Sequence, residues 1–303
     1  MQRWLGRSAL IAVLAGSLVP AGPLLASGRQ EPRRAGVPIA QIAPVKVSPS
    51  GHGPRVSRAF GGADASPIVM RSVIGGDGRT QVTDTTVYPA RAIGQIELTQ
   101  NGDMFICTGW LIDANTILAS GHCAFNPSPG GGDSIETATF SAGRNGGTDP
   151  YGTCNVLSVY APKAWRVNGK SAHDWSLMQL DCAVGDTVGW LGYFFKEGVT
   201  SLEGTPAVAE GYPGDKSFGT QWVMDGSIKA STAQMVFYKM DTFGGQSGSP
   251  IFQPNRPSCG GPCAMAVHSY GVGGTGPGAK NNSGPRITAK RFDLISELAA
   301  QND

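Results

Sequence analysis

A hydrolytic centre needs a base, a group that orients it and a nucleophile, and four histidines confine the search for the base. His52 lies in a proline-rich N-terminal stretch, His173 stands beside Asp174, and His268 ends an apolar run. His122 sits in Ala119-Ser-Gly-His-Cys at the end of a β-like run, next to a cysteine that could fix it rigidly. Ser247 lies in Gly244-Gly-Gln-Ser-Gly-Ser-Pro, where flanking glycines let the backbone N–H groups of Gly245 and Ser247 converge on one point. Donors so placed stabilise the oxyanion of a tetrahedral intermediate, each contributing roughly 100- to 1000-fold in rate. The pattern is not the Gly-x-Ser-x-Gly elbow of α/β-hydrolases, because Ser249 takes the last position. Asp174 opens Asp-Trp-Ser-Leu-Met-Gln-Leu, a carboxylate leading into a buried-looking strand and able to orient an imidazole. Any one of these is ordinarily structural: a core histidine, a turn carboxylate, a glycine-rich turn. Their combination is what points to chemistry.

The elements that must position them read as β-strands. Short runs at Ala92–Thr99, Thr108–Ile112, Thr116–Ala119, Trp175–Leu180, Thr205–Glu210, Gln221–Met224, Gln234–Tyr238, Pro250–Phe252 and Ala264–His268 are separated by Gly, Pro, Asn and Asp clusters. Forty-four glycines, about twice average usage, and only 15% charged residues suit a turn-rich, ordered, all-β protein. The end alone is helical: after Thr288 as N-cap, Phe292, Ile295, Leu298 and Ala299 recur at helical spacing.

The formal charge of +2 divides into +7 over residues 1–71 and −5 over residues 72–303. A polyanion-binding domain would carry its positive charge in the folded part, so nucleic acid is not an expected partner. Arg3 and Arg7 precede an apolar, proline-interrupted run from Ala9 to Ala26, with small residues at 26–28, which reads as a signal peptide over 1–28. Residues 29–71 hold Pro32, Pro38, Pro44, Pro49 and Pro54 among scattered Arg, show no sustained period, and read as a disordered propeptide ending at Arg71. No membrane association is expected once the signal is removed.

All six cysteines fall between Cys107 and Cys263, and an even count in an exported chain favours disulfides over metal. Fifteen pairings are possible. Spacing favours Cys107 with Cys123 across a hairpin and Cys259 with Cys263 around a Gly-Gly-Pro turn, leaving Cys154 with Cys182. No metal or other cofactor is expected.

In the stretches Ser72-Val-Ile-Gly, Thr83-Asp-Thr-Thr, Cys107-Thr-Gly-Trp, Ser120-Gly-His-Cys, Gly211-Tyr-Pro-Gly-Asp-Lys, Asp241-Thr-Phe-Gly-Gly-Gln-Ser-Gly-Ser-Pro and Ala266-Val-His, the chain resembles the chymotrypsin-like serine proteases, and within them the bacterial glutamyl endopeptidases. The resemblance spans nearly all of residues 72–303. It implies a protease domain of two six-stranded barrels, the first over about 72–185 and the second over about 186–288, with a C-terminal α-helix over about 289–301. It implies His122, Asp174 and Ser247 as the catalytic set, and an oxyanion hole of Gly245 and Ser247. It also implies cleavage of protein or peptide substrates after Glu, less readily Asp, with Thr242, His268 and the new amino group of Ser72 lining the pocket. The secreted enzyme, extracellular or periplasmic, would be a monomer, released by a separate protease cutting after Arg71.

One residue allows another specificity. Asp241 stands six positions before Ser247, where trypsin-type enzymes keep the carboxylate that attracts Arg or Lys. Gln246 departs from those enzymes too: they carry an Asp there to capture the freed amino terminus, and an amide cannot form that ion pair. A catalytically inactive binding module with the same fold is the alternative of another class.

Overall fold

The computed structural model describes residues 45–47, 58–59, 72–198 and 200–301. Six antiparallel strands form the first barrel: β1 (Ile93–Gln100), β2 (Asp103–Leu111), β3 (Thr116–Ala119), β4 (Thr137–Ala142), β5 (Cys154–Tyr160) and β6 (Ser176–Leu180). They pair in the order β4-β1-β2-β3-β6-β5, and β5 returns to β4 through Cys154 opposite Phe140, so the sheet closes. Closure leaves no sheet edge among these six and directs alternate side chains inward. Ile96, Ile117, Phe140, Val156 and Met178 fill the interior.

The second barrel comprises β7 (Pro206–Gly211), β8 (Trp222–Ser231), β9 (Met235–Tyr238), β10 (Pro250–Arg256), β11 (Gly261–Val267) and β12 (Asn282–Pro285). These pair in the order β11-β10-β7-β8-β9-β12, and the bridges Ala266 to Arg286 and Tyr270 to Ser283 bring the two ends together. A third apolar cluster lies between the barrels, where Trp110, Leu118 and Trp175 of the first meet Tyr212, Phe252 and Val267 of the second.

The chain crosses this seam three times. Residues 181–205 lead from the first barrel to the second. The N-terminal arm runs the other way: Thr80–Gln81 pairs with β8 at Val223 and Trp222 before the chain enters β1. Residues 72–81, counted above with the first barrel, therefore lie along the second, because the edge of β8 and the Asp241 carboxylate both offer them partners. The C-terminal helix, Ala289–Ala299, makes the third crossing. The Thr288 hydroxyl accepts from Arg291 N–H as its N-cap, and Ile295 and Leu298 insert into the seam cluster. Arg291, buried on the same helix, donates to the Gln234 carbonyl at 3.1 Å and to the carbonyl of Ala172, two residues ahead of Asp174.

Two short pieces of the N-terminal leader are strand-paired. Val45–Lys46 runs antiparallel to β5, with Val47 buried in the first core and its N–H donating to Leu157 O at 2.8 Å. Arg58–Ala59 runs parallel to β2 at Phe105 and Ile106. A disordered propeptide was the expectation; at these two places barrel backbone offers main-chain hydrogen bonds that composition does not register. The signal segment, His52 and Arg71 lie outside the described residues.

Candidate active site

β3 ends at Ala119, and the chain turns through Ser120 into a short 3-10 turn, Gly121–Cys123, that carries His122 into the seam. The turn is fixed from two sides. Cys123 is disulfide-bonded to Cys107 of β2, and the buried Asp174 carboxylate holds both the backbone and the ring of His122. Asp174 Oδ1 accepts from His122 N at 2.8 Å, while Oδ2 lies 2.8 Å from His122 Nδ1. A carboxylate only accepts, so the neutral ring carries its proton on Nδ1 and presents the Nε2 lone pair.

Ser247 arrives from the second barrel. Its carbonyl accepts from Thr108 N of β2 at 2.8 Å, and Cys123 Sγ is 3.7 Å from the same oxygen, so the nucleophile-type serine and the histidine turn share one support. Gly248 makes the approach possible. At φ +95° it sits where a Cβ would lie 1.9 Å from Thr108 O, so no other residue fits. Around the turn Gln246 N donates to Phe243 O, Gly248 N to His268 O and Ser249 N to Gln246 O. The amides of Gly245 and Ser247 donate to no other described residue, which leaves two N–H groups of one tight turn for an incoming oxyanion.

His268, Thr242 and Ser72 are all buried. His268 N donates to Ser249 O at 2.9 Å, and its carbonyl accepts from both Ser120 Oγ, at 2.7 Å, and Gly248 N, at 2.8 Å. Thr242 N donates to Ser72 O at 3.2 Å, and Thr242 Oγ1 is buried without a hydrogen-bond partner among the described residues. Burial, with the His122 ring adding to it, pushes the His268 imidazole down to about 3. The ring is thus neutral at working pH and offers a hydrogen bond, where sequence reasoning allowed it positive charge as well.

Asp241 bears on the alternative specificity. Its carboxylate does not serve a pocket for basic side chains: Oδ1 accepts from Ile74 N at 2.7 Å and Oδ2 from Gly78 N at 2.8 Å. Both oxygens face the N-terminal arm and take backbone amides, not a charged partner. An arm that lacks a regular sheet on that side must satisfy its N–H groups somewhere, and Asp241 meets that need.

Residues 81–291 match the trypsin family model. The chain belongs to the trypsin family. Glutamyl endopeptidase of Bacillus licheniformis is 44% identical over 233 residues, covering 76% of this chain and 70% of that protein. A solved Glu endopeptidase structure superposes with a TM-score of 0.65 at 33% identity, covering 75% of this chain and 99% of that one. A Bacillus subtilis protein named extracellular metalloprotease is 34% identical over 232 residues, with 76% of this chain and 70% of that protein covered. The fold is chymotrypsin-like, and this trypsin-family chain is a serine endopeptidase that takes protein or peptide substrates.

The metal in the last relative's name finds no matching ligands. Among the described residues, Cys107, His122 and Cys123 form one group and Cys154, Asp181 and Cys182 another. In each, both sulfurs are joined in a disulfide, so neither offers a thiolate. The third disulfide, Cys259–Cys263, spans its predicted turn.

Two site residues of this trypsin-family chain were missed from sequence. Arg79, fully buried, donates to both oxygens of Asp77, to both oxygens of Asp215 and to Gln246 Oε1 at 3.3 Å, tying the N-terminal arm to the residue before Ser247. Those bonds hold the Asp77 carboxyl well below the usual carboxylate range. Tyr238, the last residue of β9, places its hydroxyl 2.6 Å from His268 Nδ1. An Arg next to a loop glycine and a Tyr ending an apolar strand give no local signal of this role, because Gln246 and His268 lie 167 and 30 residues from them.

Proposed function

We propose that the chain hydrolyses peptide bonds after Glu, and less readily after Asp, in the medium outside the cell. His122 takes the proton from the Ser247 hydroxyl as that oxygen attacks the scissile carbonyl. Asp174 holds the ring tautomer and stabilises the imidazolium that forms. The amides of Gly245 and Ser247 receive the oxyanion. The imidazolium then protonates the leaving amine, and water repeats the sequence on the acyl-enzyme, returning the serine.

The observation that carries the specificity is the contrast between two carboxylate-relevant sites. Thr242 Oγ1 has no hydrogen-bond partner among the described residues and the neutral His268 ring carries an N–H, while both Asp241 oxygens are occupied by the N-terminal arm. A side-chain carboxylate needs such donors when it leaves water. The α-amino group freed at Ser72 adds a third contribution, from a residue whose carbonyl already contacts Thr242. The protease acts as a monomer, carries an N-terminal signal and propeptide over residues 1–71, and is released by another enzyme cutting after Arg71.

The test is a set of peptides differing only in the residue before the scissile bond, with Glu, Asp, Lys, Arg and Leu compared by kcat/KM. Glu should lead. Preference for Lys or Arg would reject the reading and return Asp241 to the pocket, and failure to cleave any of them would favour a binding module.

A further inference from the structure

Tyr238 and His268 are both buried, on β9 and just beyond β11, and their rings are 6.0 Å apart between centroids. The 2.6 Å contact between the phenol oxygen and Nδ1 is the hydroxyl's one hydrogen bond among the described residues. The His268 backbone is fastened by Ser249, Ser120 and Gly248, which fixes the point from which the buried ring reaches the phenol. Burial pushes the phenol well above its ordinary range, so the oxygen always carries its proton. That proton has one acceptor within reach, the Nδ1 lone pair. A neutral imidazole has a single N–H, which then sits on Nε2.

We infer that Tyr238 is a positioning residue for specificity: its hydroxyl locks His268 as the neutral Nε2–H tautomer, so that the imidazole edge of the pocket presents a donor only and separates a Glu carboxylate from the isosteric carboxamide of Gln. This rests on the glutamyl reading above. The opposite tautomer would aim a lone pair at the substrate, repelling a carboxylate oxygen and accepting from a carboxamide NH2. A carboxylate accepts the Nε2–H with either oxygen, whereas a carboxamide accepts it in one orientation only and in the other sets its NH2 against that donor. Sites that leave a buried polar group unpaired discriminate far more strongly than sites that merely fit shape.

The test compares wild type and Tyr238→Phe on matched peptides with Glu or Gln before the scissile bond. The wild type should prefer Glu. In the variant, kcat/KM for Glu should fall on the order of tenfold, carried by KM, with Gln cleavage unchanged, so the Glu-to-Gln ratio falls by the same factor. In a His268→Gln background Tyr238→Phe should change nothing further, since it acts through the ring. ¹⁵N NMR of histidine-labelled protein, in a Ser247→Ala background that prevents self-digestion, should show His268 protonated on Nε2, and mixed or reversed in Tyr238→Phe. A wild-type ratio near one sinks the glutamyl reading. A high wild-type ratio left unchanged by Tyr238→Phe, equal losses on both peptides, or an Nδ1–H ring in the wild type overturns the role of Tyr238.

Discussion

Replacing Asp241 by Asn separates the two readings of this residue. Asp241 accepts two backbone amides, from Ile74 at 2.7 Å and Gly78 at 2.8 Å, with almost no exposure to water. Hydrogen bonds to a charged acceptor contribute about 1.5–3 kcal/mol each, and an unsatisfied buried N–H costs a similar amount. Asn keeps one acceptor oxygen and turns an NH2 toward the other amide, so one bond is lost and the other loses its charge. The expected cost is about 3 kcal/mol of stability, or a fall of roughly 6–10 °C in Tm for a domain of this size. The ratio of kcat/KM for Glu to that for Lys peptides should stay within about threefold of wild type. Were the carboxylate a pocket ligand, its removal would selectively weaken Lys and Arg cleavage by 2–5 kcal/mol, at least about 30-fold. Thermal unfolding and the five-peptide series read both quantities on one preparation. An unchanged Tm together with a selective loss of Lys and Arg cleavage would refute the assignment of Asp241 to the arm.

Burial raises the Glu210 carboxyl to about 7. Its folded pKa thus exceeds the unfolded one, so its stabilising contribution is complete below about pH 4.5 and is lost as pH rises through about 7. Glu210→Gln should therefore match wild type in stability near pH 4.5 and exceed it by up to about 3 kcal/mol at pH 9, measured by urea unfolding at both pH values; a constant difference would reject the shift. A glutamyl-specific enzyme cuts poorly after Arg71, so full-length Ser247→Ala should still lose its leader when made in the native host. Mass spectrometry finding the leader retained would instead indicate self-processing.

Much of the fold was legible because burial on one strand face leaves a period in the sequence. Ile93–Gln100, Ser176–Leu180 and Pro206–Gly211 fall within a residue or two of the runs read from sequence, and the C-terminal helix begins after its N-cap at Thr288. The strand Asn282–Pro285 was not legible. Asn-Ser-Gly-Pro is turn chemistry, yet here it is fully buried, with Asn282 Nδ2 donating to the carbonyls of Ser72 and Met240 and Gly284 packed against Val267 O. Its composition answers to distant backbone, which local propensity cannot register. Thr137–Ala142 was missed for a simpler reason: its small residues give weak alternation, and the barrel closes over them regardless.

The candidate site divides in the same way. His122 and Ser247 stood out because a cysteine and glycines crowd around them in sequence, and Asp174 because it opens a buried-looking strand. The direction in which Asp241 points and the Arg79 bridge to Gln246 depend on the N-terminal arm returning to the second barrel, and the charge state of His268 depends on its burial near His122; none of these leaves a local trace.

The three crossings of the seam bear on how such an enzyme survives its own company. Concentrated copies of a glutamyl-specific protease attack one another, and the link between the barrels exposes Glu197 and Glu203. A cut at either would sever only one strap of three. The N-terminal arm and the C-terminal helix would still clasp the halves together, so a nicked molecule would keep two of its three ties across the seam.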